Sequence, residues 1–153
     1  MPIVWRMLTA KHAATAFSGE GARLHGGRWN PQGVPMVYTA STLSLATLEM
    51  LVQDGKLLAT YVVIPATIPS KLKIEHVNPN DLPEDWRSAK SREKLRAIGA
   101  GWIKRASSAV LAVPSAVIPT ETNYLLNPLH PSFQKIVIGA PQEFETDLRL
   151  PRK

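Results

Sequence analysis

Short segments rich in apolar and β-branched residues recur along the chain, separated by proline, glycine and polar residues, and each is typical of a β-strand. We expect Pro65 to end the third of them, because proline cannot donate a ladder hydrogen bond. The predicted strands are 3–8, 34–39, 57–64, 71–77, 109–113, 115–118 and 134–139, with 143–148 as one more.

Helical patterns occur in two places. The first helix begins after Ser41 or Thr42, either of which can serve as its N-cap, and ends near Asp54 and Gly55. The second helix covers roughly 91–104, although the glycines near its centre weaken the pattern. The glycine-rich segment 16–32 is long for a connection, which is typical of a functional loop.

The remaining segment 120–130 contains two asparagines and two prolines and is predicted to be an ordered loop. The chain has 13 prolines, against about 8 expected at a usage of ~5%, which disfavours a long helical bundle. We therefore predict an α+β fold: one compact domain over 1–153, with a mixed, mainly antiparallel sheet and few helices.

Composition excludes several function classes. There is no cysteine, which excludes a disulfide scaffold, a thiol nucleophile and every cysteine-based zinc or iron–sulfur site. The N-terminus lacks an apolar signal-peptide region and no apolar stretch is long enough to span a bilayer, so we expect a soluble, cytoplasmic protein. The net charge of +6 suggests an anionic partner such as nucleic acid or a phosphorylated metabolite.

Common phosphate and metal motifs are incomplete. The run 19–24 lacks the third glycine of a dinucleotide fingerprint, and 21–27 lacks the lysine of a Walker loop. The histidines have no paired spacing, so the sequence predicts no metal site. They are His12, His25, His76 and His130.

The first helix carries a carboxylate in an unusual position. Leu45, Leu48, Glu49 and Val52 recur at i, i+3, i+4 and i+7, the spacing of one buried helix face. Burying an unpaired carboxylate is costly, so Glu49 either lies at the edge of this face, pairs with an arginine, or serves chemistry.

Three residues elsewhere are candidate partners of Glu49. Arg28 follows two glycines and can bind a phosphate in a bidentate manner. Tyr38 offers an aromatic face and a hydroxyl just before the helix. Arg6 is a charge on the opening strand. Each also has an ordinary structural interpretation, as a loop salt bridge, a packed aromatic or a solvated strand residue.

Three runs of sequence together resemble the RES domain. These are GARLHGGRWNP at 21–31, VYTA at 37–40 and SLATLE at 44–49. The arginine, glutamate and serine that name the family correspond here to Arg28, Glu49 and Ser115 in VPSA. The resemblance is clearest over 5–50 and 109–138, and 78–108 cannot be aligned.

The resemblance implies the toxin of a bacterial toxin–antitoxin pair, with a fold similar to ADP-ribosyltransferases. Such a toxin degrades NAD+ by cleaving its nicotinamide–ribose bond, with water or inorganic phosphate as acceptor. NAD+ is then a substrate, and no permanent cofactor or metal is expected. The implied partner is an Xre/ParS-like antitoxin that blocks the active site, with operator DNA bound only indirectly through the antitoxin.

The resemblance also assigns roles to residues. Glu49 stabilises the oxocarbenium-like transition state, and Arg28 and Tyr38 complete the catalytic set. The residues expected to bind NAD+ are Arg6, Arg28, Tyr38, Ser115 and Asn127.

Three alternatives stay open at this point. The same site could transfer ADP-ribose to a protein, which the sequence does not separate from NAD+ degradation. The basic charge also suits a nucleic-acid-binding protein or ribonuclease, although only 7% of the residues are aromatic and no stacking row is present. The third is an inert interaction module that has lost catalysis.

Overall fold

A computed structural model describes residues 1–54 and 59–145. Its centre is a mixed sheet in the order β4-β5-β6-β2-β1-β3-β7, with β8 also paired to β3. The strands are β1 Ile3–Thr9, β2 Val37–Ala40, β3 Tyr61–Thr67, β4 Ile74–His76, β5 Val110–Pro114, β6 Thr122–Leu126, β7 Val137–Ile138 and β8 Gln142–Phe144.

Across residues 1–54 and 59–145, three α-helices accompany the sheet, and shorter 3-10 helices connect the elements. The α-helices are α1 Glu20–His25, α2 Leu43–Asp54 and α3 Arg92–Arg105, and the 3-10 helices are Ala10–Thr15, Pro79–Asp81, Ala89–Ser91 and Pro131–Lys135. Within the described residues only β4 and β5 pair in parallel, so the predicted α+β class and mainly antiparallel sheet are confirmed.

The side chains of consecutive residues in the central strands pack into two different hydrophobic clusters. Leu125 packs in one cluster with α3, while its neighbour Leu126 packs in a second cluster with Val4 of β1. This alternation follows from the period of two along a strand, and it means that both faces of the sheet are covered. The sheet therefore supplies a rigid frame on which the loops are held.

The predicted loop 120–130 was wrong, because its first half forms β6 between β2 and β5. Asparagine and proline favour loops locally, but the Tyr-Leu-Leu run between the two asparagines pairs with strands distant in sequence.

The predicted strand at 115–118 was also wrong. Ser115 Oγ accepts hydrogen bonds from the amides of Val117 and Ile118, each at 3.1 Å, and so turns the chain.

Pro65 and Gly99 both lie inside regular elements, where the sequence analysis expected them to end or weaken the element. Pro65 does not end β3: the strand continues to Thr67, and Pro65 lies between the positions paired with β8 and those paired with β7. Gly99 lies inside α3 because a side chain there would collide with the carbonyl oxygen of Trp29. The predicted loop 16–32 contains the short helix α1.

Helix α2 begins as predicted, with Thr42 Oγ1 accepting from the amide of Leu45 at 3.1 Å. Its buried face was predicted only in part. Leu45 is buried, but Leu48 and Val52 are exposed by 39% and 68%, and Ala46 is buried instead. The predicted end at Gly55, the first residues of the predicted strand 57–64 and the end of 143–148 lie outside the described residues.

Candidate active site

Glu49 projects from α2 toward residues that follow β5 and begin β6. Its Oε1 accepts a hydrogen bond from Ser115 Oγ at 3.3 Å. Its Oε2 accepts one from Asn123 Nδ2 at 2.7 Å. Both donors are neutral and largely buried, and Glu49 itself is half-buried. The carboxylate is therefore oriented without being neutralised.

Asn123 is a site residue that the sequence analysis did not assign. It was placed in a predicted loop, although that loop lies within 109–138, where the resemblance to the RES domain is clear. Its position is set by β6, where it lies opposite Ala40 of β2 and Val113 of β5. The pairing of β6 was the missing information, because only that pairing carries residue 123 to α2.

Arg28 is held close to Glu49 but is not paired with it. Its Nη1 donates to the carbonyl of Arg87 at 3.3 Å, and no ion pair joins Arg28 to an acid in the described part of the chain. Burial is the main cause that lowers the pKa of Arg28, followed by the charge of Arg92. Glu49 raises it, and Arg87 lowers it by a smaller effect. An arginine stays protonated at neutral pH under such shifts, so the site keeps a positive charge.

Tyr38 fixes the loop that carries Arg28. Its hydroxyl donates to Asn30 Oδ1 at 2.6 Å and accepts from the amide of Trp29 at 3.0 Å. Burial raises the pKa of the Tyr38 hydroxyl, so it stays protonated as a donor. At Gly27 a Cβ atom would lie 2.6 Å from the same hydroxyl. Glycine is thus required before Arg28, because Tyr38 approaches the backbone at that point.

Asn30 closes the arginine loop, which is the segment 26–36 between α1 and β2, from within. It is fully buried, and its Nδ2 donates to the carbonyls of Ala22 and Val34 at 2.8 and 2.9 Å. Arg96 of α3 adds a bond from Nε to the carbonyl of Gly27 at 2.8 Å. The loop is thereby tied to α1, α3 and β2, and Arg28 is presented by a well-anchored backbone.

Arg6 lies at the junction of β1 and β2. These strands share one paired position, Trp5 with Ala40, and Arg6 Nη1 donates to the carbonyl of Tyr38 at 3.0 Å. Burial lowers the pKa of Arg6 to about 10. Across residues 1–54 and 59–145, Arg6 Nε and Asn123 Oδ1 are the buried side-chain polar atoms without a hydrogen-bond partner. Such atoms are uncommon, and both belong to residues around this site.

Asn127 is at the other end of β6 from Asn123. Its Oδ1 accepts from the amide of Leu129 at 3.0 Å, and its own amide donates to the carbonyl of Ala109. The structure thus brings Glu49, Ser115 and Asn123 into contact, with Arg28 nearby, while Asn127 makes a turn elsewhere. The ligand-binding roles of Arg6 and Asn127 stay predictions.

Three further observations concern metal binding, cavities and membrane-spanning helices. Among the described residues, no three histidine or acidic side chains are grouped in a way that could hold a metal ion. A cavity of about 420 Å³ lies beside β4 and β5, between His76, Pro114 and Thr122, and does not include Glu49 or Arg28. No described helix is long and apolar enough to cross a membrane.

The RES domain model matches residues 3–147 of the chain. The chain belongs to the RES family. The match covers the arginine loop, α2 and β6, so Arg28, Glu49 and Ser115 all lie within the RES domain. It also spans 78–108, the segment that could not be aligned from sequence alone.

Individual proteins named as toxins are similar to this chain over nearly their whole length. The chain is 37% identical to "Toxin Res" of Photorhabdus laumondii, over 97% of this chain and 96% of that protein. It is 38% identical to "Toxin Res" of Yersinia enterocolitica, over 97% and 99%. It is 34% identical to the "Prs ADP-ribosylating toxin" of a Sphingobium species, over 97% and 96%.

A solved structure shares the RES fold. A chain of the M. tuberculosis MbcT–MbcA toxin–antitoxin complex superposes with a TM-score of 0.76, over 93% of this chain and 83% of that chain. The sequence identity is 21%, so this likeness supports the fold.

Proposed function

We propose that this RES protein is the toxin of a toxin–antitoxin pair and that it cleaves the nicotinamide–ribose bond of NAD+. The observation that carries the proposal is the Glu49 carboxylate, which is held by Ser115 and Asn123 at 3.3 and 2.7 Å while Arg28 is kept out of ion-pair contact with it. Membership of a family with relatives named as toxins supports the biological role.

The proposed reaction suits a site with one carboxylate that makes hydrogen bonds but no ion pair. Nicotinamide leaves NAD+ with the bonding electron pair and departs as a neutral molecule, so its departure needs neither a metal nor a general acid. Positive charge develops on the ribose ring, and a negative carboxylate nearby stabilises that transition state. Because Ser115 and Asn123 orient Glu49 without cancelling its charge, the carboxylate is preorganised for this role.

The arginine loop is proposed to hold the other end of the substrate. Arg28 offers guanidinium donors to the diphosphate, and its loop is anchored by Tyr38 and Asn30. Correct placement of the ribose over Glu49 then depends on the rigidity of this loop. Tyr38 contributes by fixing the loop, and a direct contact of its ring with nicotinamide stays a prediction.

The acceptor of the ADP-ribosyl group is water or inorganic phosphate in this proposal. Water yields ADP-ribose and a proton, whereas phosphate yields the ADP-ribosyl phosphate ester. Purified protein incubated with NAD+ is expected to release nicotinamide, and product analysis with and without phosphate identifies the acceptor. A folded sample free of bound inhibitor that leaves NAD+ intact would contradict the proposal.

Protein ADP-ribosylation is a second candidate, favoured by the relative named as an ADP-ribosylating toxin. It uses the same bond cleavage with a protein side chain as acceptor. Incubation of NAD+ labelled in its adenosine half with cell lysate separates the two. Label in small molecules supports NAD+ degradation, and label retained on a protein band supports transfer.

An antitoxin partner is also proposed, supported by the toxin–antitoxin complex that shares this fold, and the Xre/ParS type is what the family resemblance implies for it. Such a partner would block access to Glu49, and contact with operator DNA would pass through it. Co-expression of a candidate antitoxin of this type is expected to restore growth and NAD+ levels together.

A further inference from the structure

The segment 82–91 packs directly against the arginine loop, although no motif in the sequence accounts for it. Trp86 is buried with its ring centroid 6.4 Å from that of Trp29, the residue after Arg28. Asp85 accepts hydrogen bonds from Ser88 and Ser91, which closes the turn before α3. The backbone at residue 87 is thus held beside residue 28 by a buried aromatic contact.

Arg87 contacts both halves of the candidate site. Its carbonyl accepts from Arg28 Nη1 at 3.3 Å, and its Nε donates to the carbonyl of Ala116 at 2.8 Å. Ala116 follows Ser115. The Ser115 hydroxyl donates a hydrogen bond to Glu49 and accepts hydrogen bonds from the two backbone amides of the 115–118 turn. One residue therefore joins the arginine that faces the site to the turn that orients the carboxylate.

We propose that Arg87 is a positioning residue that sets Arg28 and the 115–118 turn relative to one another. The inference rests on the function proposed above for this site. Arg87 is exposed, so its hydrogen bond to Ala116 contributes little to the stability of the fold. Its effect is expected on turnover, because small displacements of groups around a reacting bond cost much more in rate than in stability.

Side-chain chemistry allows the hydrogen bond to be separated from the charge. Glutamine places its Nε2 donor at the same distance along the side chain as Nε of arginine, so Arg87→Gln keeps a donor for Ala116 and loses the charge. Arg87→Lys keeps the charge but has a methylene group at that position. Arg87→Ala loses both. The carbonyl of residue 87 is present in every variant.

Initial rates of nicotinamide release should separate these variants. We expect Arg87→Ala and Arg87→Lys to lower kcat by roughly tenfold to a hundredfold. Arg87→Gln should stay within about threefold of wild type, and all three should unfold at nearly the same temperature. Lys90→Ala is the control for loss of a nearby exposed charge, because the Lys90 side chain makes no hydrogen bond or ion pair among the described residues, and its charge is only the smallest of the effects that lower the pKa of Asp85. This variant should leave kcat unchanged.

Amide hydrogen exchange tests the same link without NAD+. Loosening of the turn in Arg87→Ala should speed exchange of the Val117 and Ile118 amides, and Arg87→Gln should restore slow exchange. If wild-type protein releases no nicotinamide, the proposed function fails, and the exchange pattern alone then supports or overturns the link. If wild-type protein is active, unchanged kcat in Arg87→Ala overturns the inference. Lost kcat with unchanged exchange also overturns it, because Arg87 would then act by direct contact with substrate.

Discussion

Glu49 and Glu75 are both half-buried carboxylates held by neutral donors, yet their surroundings differ. Glu75 Oε2 accepts from Ser107 at 2.6 Å and from Ser108, while its other oxygen lies 3.7 Å from Arg105. Ser108 also accepts from the buried Trp102 ring nitrogen. The Glu75 cluster is therefore a closed network that ties β4 to the connection between α3 and β5.

The Glu49 cluster is open in comparison. Its donors lie 66 and 74 residues away along the chain, and the cation nearby, Arg28, is held by a backbone carbonyl instead of by the carboxylate. A carboxylate that is bound by two hydroxyl donors and also lies beside a cation, as Glu75 does, stabilises structure. The Glu49 carboxylate has its oxygens oriented by hydrogen bonds and makes no ion pair with Arg28. Its negative charge is therefore available to stabilise positive charge on a substrate.

The largest expected difference between the two clusters is in catalysis. Glu49→Gln preserves the shape of the side chain but removes the negative charge, so we expect kcat for NAD+ cleavage to fall by at least about a hundredfold. Glu75→Gln should leave kcat within about twofold of wild type. Nicotinamide release by both purified variants measures this, with circular dichroism to show that each is folded. Equal activity of Glu49→Gln and wild type would remove Glu49 from the proposed mechanism.

A smaller difference is expected in stability when one serine is removed from each cluster. Ser115→Ala leaves the turn amides of Val117 and Ile118 without their acceptor, so the free energy of unfolding should fall by about 1–3 kcal/mol. Ser107 is exposed, so Ser107→Ala should cost under about 1 kcal/mol. Urea unfolding of the two variants measures both values. A greater loss for Ser107→Ala would reverse the comparison.

The smallest expected effect is the pH dependence of the Glu75 network. Hydrogen bonds from Ser107 and Ser108 hold the pKa of Glu75 below its ordinary value of 4.5, against the opposing effect of burial. A carboxylate with a lowered pKa in the folded state contributes stability above its unfolded pKa and loses it as the pH falls through the folded pKa. As the pH falls below ~4.5, the free energy of unfolding of the wild-type protein should thus decrease by about 1 kcal/mol more than that of Glu75→Gln. Parallel curves of unfolding free energy against pH for the two proteins would contradict this.

Local patterns predicted the elements that depend on local interactions. The N-cap of α2 at Thr42, strand β1 and the approximate limits of α3 follow from periodicity and capping, which neighbouring residues determine. The pattern around residues 115–126 misled for a physical reason. Ser115 satisfies backbone amides through its side chain, and β6 exists because two strands distant in sequence lie on either side of it.

The family resemblance predicted more of the site residues than the local sequence patterns did. It added Ser115 to Arg28 and Glu49, which the patterns had already singled out, and in the structure Ser115 contacts Glu49 while Arg28 is nearby. It did not select Asn123 or Arg87, because their contribution depends on contacts with Glu49 and with the turn after Ser115. Those contacts join residues 74 and 29 positions apart and leave no periodic signal.

The class of fold, the capping and periodicity of the helices, and the residue types on which the site depends all follow from the amino-acid sequence. Those properties arise from interactions within a few residues, or from a motif in one run of the chain. The orientation of Glu49 by neutral donors and the binding of Arg28 by a backbone carbonyl are visible only in the folded structure. That arrangement comes from strand pairing and buried aromatic packing between distant segments, the free energy of which is set by the folded chain as a whole.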